Sequence, residues 1–268
     1  MHTDLIRHIF DEAIQTYMED ALNSSFAIIA NDHNCHFISK GPKHLDTGKQ
    51  TKLLLYDNFG TAYNIDAVIT DESMQPLILM EYKYIRYKKH NRDKGSWLCT
   101  AHNAIRRRYG SVRSSIAVLA GNWSGSSLAM MKSHDVNVFI IPFDTITQLL
   151  KEHAIIFDWG EKDREIAHES WRRYSALSGK QKSAIANKMI AVVQVELDAA
   201  IAQILDNNAK RVIEKITVEV HTNLGEVKCF AFSSIEDALD FLEDFSFDEM
   251  LNQTHSFTVF EKPVLDDE

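Results

Sequence analysis

Between Thr3 and Leu22 apolar residues return every three or four positions: Ile6, Ile9, Phe10, Ala13, Ile14, Tyr17, Met18 and Ala21. That spacing marks one face of a helix and predicts an amphipathic helix over residues 3–22. The rhythm then stops. NDHNCHFISKGPKHLDTGKQ, residues 31–50, is polar and holds Gly and Pro, so it reads as a long loop, a length uncommon without a function. Short apolar runs follow at LLLY (53–56), IDAVIT (65–70) and LILMEYKY (77–84), separated by GTAYN and the turn DESMQP. These predict three strands. GSWLCTAHNAIRRRYG (95–110) predicts a helix, with Ser96 as N-cap and Gly110 as its C′ stop. SSIAVLAG (114–121), SGSSLAMMKSHD (124–135) and VNVFIIPF (136–143) read as strand, short helix and strand. A hairpin-like start joined to strand–helix–strand units implies an α/β fold with a mixed central sheet and flanking helices.

Beyond about residue 160 the pattern changes. Ala186, Ile190, Val193, Leu197, Ala200 and Ile204 alternate in steps of four and three along a helix over 180–206. Such a 3.5-residue repeat suits a dimer seam or a core helix against the first domain. Residues 212–232 read as a β-hairpin around HTNLGEV. SSIEDALDFLEDF reads as a helix whose Ser233 and Glu236 have capping-box spacing. The expected division is a core over 1–160 and a C-terminal α+β region over 161–268.

Composition adds little until it is mapped. The chain has 268 residues, 45% hydrophobic and 25% charged, enough to bury a core without staples. Cys35, Cys99 and Cys229 are odd in number and far apart, which argues for reduced thiols. No apolar run approaches the ~20 residues of a membrane helix, and MHTDLIRHIF lacks the order of a signal peptide, so a cytoplasmic location is expected. The net charge of −9 hides a strong polarity. From Lys83 to Arg113 ten basic residues face Asp93 alone, while from Ser234 onward eleven acids face Lys262 alone.

The charged positions inside NIDAVITDESMQPLILMEYKY carry the chemistry. Alternate residues of a strand share a face, so Leu77, Leu79, Glu81 and Lys83 point one way and Ile78, Met80 and Tyr82 the other. Both faces are apolar up to Met80, as in a central strand covered on two sides. If 66–70 and 77–84 pair across the turn, Asp66 meets Glu81 and Lys83 in one cluster. Two close carboxylates need a counter-charge. A magnesium ion answers that need with one or two carboxylates, water and phosphate oxygens. Lys83, held charged by its acidic neighbours, suits electrostatic and positioning roles more than that of a base.

Asp66, fourteen intervening residues and then Glu81-Tyr82-Lys83 resemble the PD-(D/E)XK nuclease superfamily, which includes many type II restriction endonucleases. The helix–βββ–helix–β order over residues 1–145 is similar to that family's core; Ile65 stands where the motif's Pro is often found. The resemblance implies a restriction-endonuclease-like core with one or two Mg²⁺ ions per active site. Asp66 and Glu81 would ligate the metal with the Tyr82 carbonyl, and Lys83 would be the catalytic lysine. An acid from the first helix would join them, Glu12 or its rival Asp20. The expected partner is double-stranded DNA, cut by a homodimer to leave a 5′-phosphate. Arg86, Lys88, Lys89, Arg92, Lys94, Arg106 and Arg107 are the candidates for gripping its phosphates. The loop 31–50 and the C-terminal region are candidates for reading sequence.

Other motifs weigh less. Glu226-Val227-Lys228 repeats the E-x-K pattern, but no suitable Asp precedes it and no basic helix follows, so it reads as a solvated hairpin face. His33, Cys35 and His36 are too crowded for an ordinary zinc site. His102 and Asn103, one turn before the arginines, suit either a place facing the site or a packing or surface role, and the second is preferred. The function expected is Mg²⁺-dependent hydrolysis of DNA, of restriction type. The alternatives are a repair or defence nuclease without strict specificity, a non-catalytic nucleic-acid-binding protein of the same fold, and an interaction protein whose acidic end docks a basic partner.

Overall fold

A computed structural model describes residues 3–43, 46–87, 91–160 and 162–246. The chain divides into two compact units after Asn207. In the first, α1 (Thr3–Asp32) leads to β1 (His36–Ile38) and then to a separate ribbon of β2 (Leu54–Tyr56) and β3 (Ala62–Asn64). β4 (Ala67–Thr70), β5 (Pro76–Ile85) and α2 (Asn91–Arg108) follow, then β6 (Ser114–Gly121), α3 (Gly125–Ser133) and β7 (Val136–Pro142). α4 (Phe143–Lys151), α5 (Arg164–Ala176) and α6 (Gly179–Leu205) complete it.

The central sheet has the order β1-β4-β5-β6-β7. β1 with β4 and β4 with β5 pair antiparallel, whereas β5 with β6 and β6 with β7 pair parallel. The mixed α/β fold is therefore the expected one, with two changes. The first strand of the sheet comes from the polar stretch 31–50, as β1, and LLLY pairs instead with AYN in the ribbon. α1 also runs ten residues past its expected end, because Leu22, Phe26 and Ala30 extend a buried line with a spacing of four from Ile6, Phe10, Ile14 and Met18.

That line packs on the face of β5 bearing Ile78, Met80, Tyr82 and Tyr84. The opposite face is covered by α2 and α3 in two smaller clusters, one around Leu79, Ala101 and Ile105 and one around Ile85, Leu98 and Leu119. The expected strand parity holds from Ile78 onward. Leu77 departs from it: the register slips between Ile69 and Thr70, and Leu77 joins the α1 side.

α6 starts at a full capping box, Ser178 with Gln181. Its Ile190, Val193 and Leu197 are buried in the α1 cluster, with Ile204 packed at the edge, and Ala186 is buried as well. Of the two readings of this helix, the burial of its stripe supports the core helix. The boundary expected at 160/161 accordingly falls inside the first unit. α2 begins at Asn91 rather than after Ser96, anchored by Asn91 Nδ2 donating to the Asn122 carbonyl at 3.1 Å.

The second unit holds β8 (Ile216–His221) and β9 (Val227–Phe232), antiparallel, and α7 (Ile235–Glu243). Phe230 and Phe232 pack on Phe241. The cap of α7 is Ser234, whose hydroxyl accepts from Asp237 N–H at 3.1 Å, and not Ser233. Glu226 is exposed at the hairpin turn, as expected.

Candidate active site

β5 carries the site because its neighbour β4 is shorter. Ala67 pairs with Met80 and that ladder ends, whereas β6 stays paired as far as Ile85 with Gly121. Residues 81–85 therefore have one open edge. Asp66, just before β4, closes the start of it. Its Oδ2 accepts the Tyr82 N–H at 2.9 Å and the Lys83 ammonium at 2.7 Å. Lys83 Nζ also contacts Glu81 Oε2. Asp66, Glu81 and Lys83 thus converge at the C-terminal end of the strand, where the sheet changes from antiparallel to parallel pairing.

The top of β5 is pinned from the β6 side. Asn122 N–H donates to the Ile85 carbonyl at 2.7 Å and Asn122 Nδ2 to the Arg86 carbonyl at 2.8 Å. Gly121 makes this possible. Its φ is +98°, and a Cβ there would sit 2.0 Å from the Ile85 carbonyl oxygen.

Glu81 is only 2% exposed. Burial pushes its carboxyl up to about 8, with the Lys83 ammonium opposing the rise and the Asp66 carboxylate adding to it. Burial alone would depress Lys83, but Glu81 and Asp66 outweigh it and hold the ammonium above the ordinary lysine range. The lysine is a fixed positive charge and not a free amine base.

The acid that α1 turns toward this cluster is Glu19, not Glu12 or Asp20. Burial raises its carboxyl, Gln15 donates to it at 2.6 Å, and Asp66 and Lys83 act on it across the site. Glu12 and Asp20 are exposed. Glu12 does line the adjoining cleft of about 520 Å³, with Asp11, Glu19, Tyr84, Arg86 and Lys94. The spacing of four places Met18 and Leu22 at the core, so Glu19 borders the buried line and Asp20 leaves it.

His102 is the second residue that sequence reasoning undervalued. It is 1% exposed on α2, between Leu98 and Ile105, over the face of β5 that holds Glu81 and Lys83. Burial and the Lys83 charge push its imidazole down to about 3, so it is neutral. Neither ring nitrogen has a hydrogen-bond partner. The signal available in the sequence was its spacing from Leu98 and Ile105.

The basic segment divides. Arg86 is buried and not a phosphate grip: Nε donates to Asp11 at 2.9 Å, one terminal nitrogen donates to the Phe157 carbonyl at 2.5 Å, and the guanidinium lies 3.8 Å from the Phe157 ring centroid. Arg113 binds the Ile204 carbonyl and Asn207 at the end of α6, each at 2.8 Å. Arg92 and Arg107 are exposed and Arg106 is half-buried. Lys94 sits beside the site with Nζ 3.4 Å from the Tyr84 carbonyl, and burial and Lys83 lower its pKa. Lys88 and Lys89 lie outside the described residues.

Among the described residues no three His, Cys, Asp or Glu side chains stand close enough to hold a metal by themselves. The donors present are oxygens: the Asp66 and Glu81 carboxylates and the Tyr82 carbonyl. A residue's N–H and C=O project from the same edge of a strand, and Tyr82 N–H points to Asp66, so its carbonyl serves that open edge too. Such a set fits a hard cation that keeps water and substrate oxygens, as magnesium does.

No protein-family model and no curated protein matches the chain. A solved structure of a protein of unknown function, AF1548, is similar at 10% identity and a TM-score of 0.33, over 70% of this chain and 98% of that one. No helix among the described residues is long and apolar enough to cross a membrane.

Proposed function

We propose that the protein is a Mg²⁺-dependent phosphodiesterase acting on duplex DNA, a nuclease of the PD-(D/E)XK kind. The observation that carries this reading is the convergence of Asp66, Glu81 and Lys83 at the open edge of β5. A bound metal would supply an activated water and neutralise charge growing on the phosphoryl group. Asp66, Glu81 and the Tyr82 carbonyl are the residues that would hold it. Lys83, fixed by two carboxylates, orients a phosphate oxygen or the attacking water and stabilises negative charge. Glu19 adds a carboxylate at the rim, and Lys94 a cation beside Lys83. Two carboxylates with one ammonium in a buried strand also suit a structural ion cluster. The open edge and the adjoining cleft favour a site that admits a ligand.

The test is incubation of the purified chain with plasmid DNA, with Mg²⁺ or with chelator. Mg²⁺-dependent nicking and linearisation, with 5′-phosphate ends, is the expected result. Salt-sensitive binding without hydrolysis of any DNA or RNA would instead favour a non-catalytic nucleic-acid-binding protein.

A further inference from the structure

The ribbon β2–β3 presents a side chain that the fold does not use. Phe59, at its tip, is 94% exposed. A large aromatic in water is usually tolerated where the backbone is loose, yet this tip is tightly held. Asp57 is buried, and its Oδ1 accepts the N–H groups of Phe59 and Thr61, each at 2.8 Å. Asp57 N–H donates to the Thr61 carbonyl at 3.1 Å, and Gly60 takes the left-handed φ of +84° that the turn needs.

The tip is also braced on the end of α2. Arg108 donates to the Asp57 carbonyl at 2.6 Å, and Asn58 Nδ2 to the Arg107 carbonyl at 3.3 Å. The outward face of the ribbon adds Leu54 and Tyr56, both exposed, with Lys52 at its base. Its inward face, Leu55 and Tyr63, packs on the α2 side of the sheet. A rigid two-stranded element thus shows apolar and aromatic side chains to solvent, flanked by Lys52, Arg107 and Arg108.

We propose that this ribbon is a DNA-contacting element, with Phe59 as a wedge or stacking residue at its tip. A two-stranded ribbon can enter a groove of the duplex, and a side chain such as Phe inserts as a wedge that partly unstacks a base step. The occupant is DNA rather than a second copy of the chain because two exposed arginines, Arg107 and Arg108, stand beside the tip and suit phosphate. The inference rests on the reading of Asp66 as part of a DNA-cleaving site. The ribbon runs directly into that residue: Asp66 lies seven positions after Phe59, at most ~23 Å at about 3.3 Å per residue. Phe59 should therefore touch DNA within about seven base pairs of the cut.

The test is binding of a fluorescein-labelled mixed-sequence duplex, by anisotropy, in chelator and over a series of salt concentrations. Phe59→Ala should raise Kd about tenfold with an unchanged salt slope, since stacking releases no counterions. Phe59→Trp should restore binding, and Arg107→Gln should lower the salt slope by about one. Wild-type affinity in Phe59→Ala would overturn the ribbon's role and leave the nuclease reading standing. Loss of a dimer in Phe59→Ala, seen by ultracentrifugation without DNA, would also overturn it, as a contact between copies. Because nothing is cleaved in chelator, an absence of Mg²⁺-dependent hydrolysis with intact Phe59-dependent binding would remove the catalytic reading alone.

Discussion

Lys83 stands between two carboxylates that would repel each other without it, and one of them is buried. The strand positions these groups by parity: Leu79, Glu81, Lys83 and Ile85 share a face, with the charges set between two apolar neighbours. This much was legible, because a charge pair inside an apolar strand is a conspicuous break in pattern. His102 was less legible, since a buried histidine and a surface histidine look alike in a helical spacing. Its imidazole has a measurable consequence. The folded value is depressed to about 3, so as pH falls from 6.5 the unfolded chain takes up the proton first. The contribution of neutral His102 is complete above pH 6.5 and is lost as pH falls toward 3. Urea unfolding of wild type and His102→Gln should show a stability difference that changes by on the order of 5 kcal/mol across that window. A constant difference would mean that the imidazole is not held neutral.

Among elements, β5 and α1 were readable in kind but not in extent. α1 continues to Asp32 because Phe26 and Ala30 keep the spacing of four, a continuation hidden by the polar residues around them. β1 lies in a stretch too polar to be read as a strand, and only three residues pair. The polar pairs between elements were invisible to periodicity. Arg86 at the end of β5 joins Asp11 of α1 and is boxed by Phe157 and Trp159, which ties the strand end to the first helix. Removing one member strands a buried charge. Asp11→Ala should therefore destabilise the fold by about 3 kcal/mol, and Arg86→Met by less. Chemical denaturation of the two variants checks the order, and a harmless Asp11→Ala would show that the pair does not brace the site.

At the scale of the molecule, the repeat of α6 left a dimer seam and a core helix open, and its packing carries it into the first unit, past the boundary expected at 160/161. The apolar stripe of α6 belongs to the same cluster as Ile6, Phe10 and Ile14 of α1. A chain ending at Asn207 should unfold cooperatively, with the far-ultraviolet signal of an α/β protein. One ending at Gly160 should aggregate or remain unfolded, since that core would be left open. A cooperative fold from the shorter chain would restore the boundary at 160. The charge polarity read from the sequence needed the same sorting. Arg86 and Arg113 hold structure, while Arg92, Arg107 and Lys94 are left to meet a ligand.

The most direct measurement is cleavage and binding of one labelled DNA duplex by wild type, Asp66→Ala and Lys83→Ala, in the same buffer with Mg²⁺. Both variants should lose about a hundredfold or more in single-turnover rate. Both should still unfold cooperatively and bind the duplex within a few-fold of wild type. Undiminished Mg²⁺-dependent cleavage in either folded variant would contradict the assignment of the Asp66, Glu81 and Lys83 cluster.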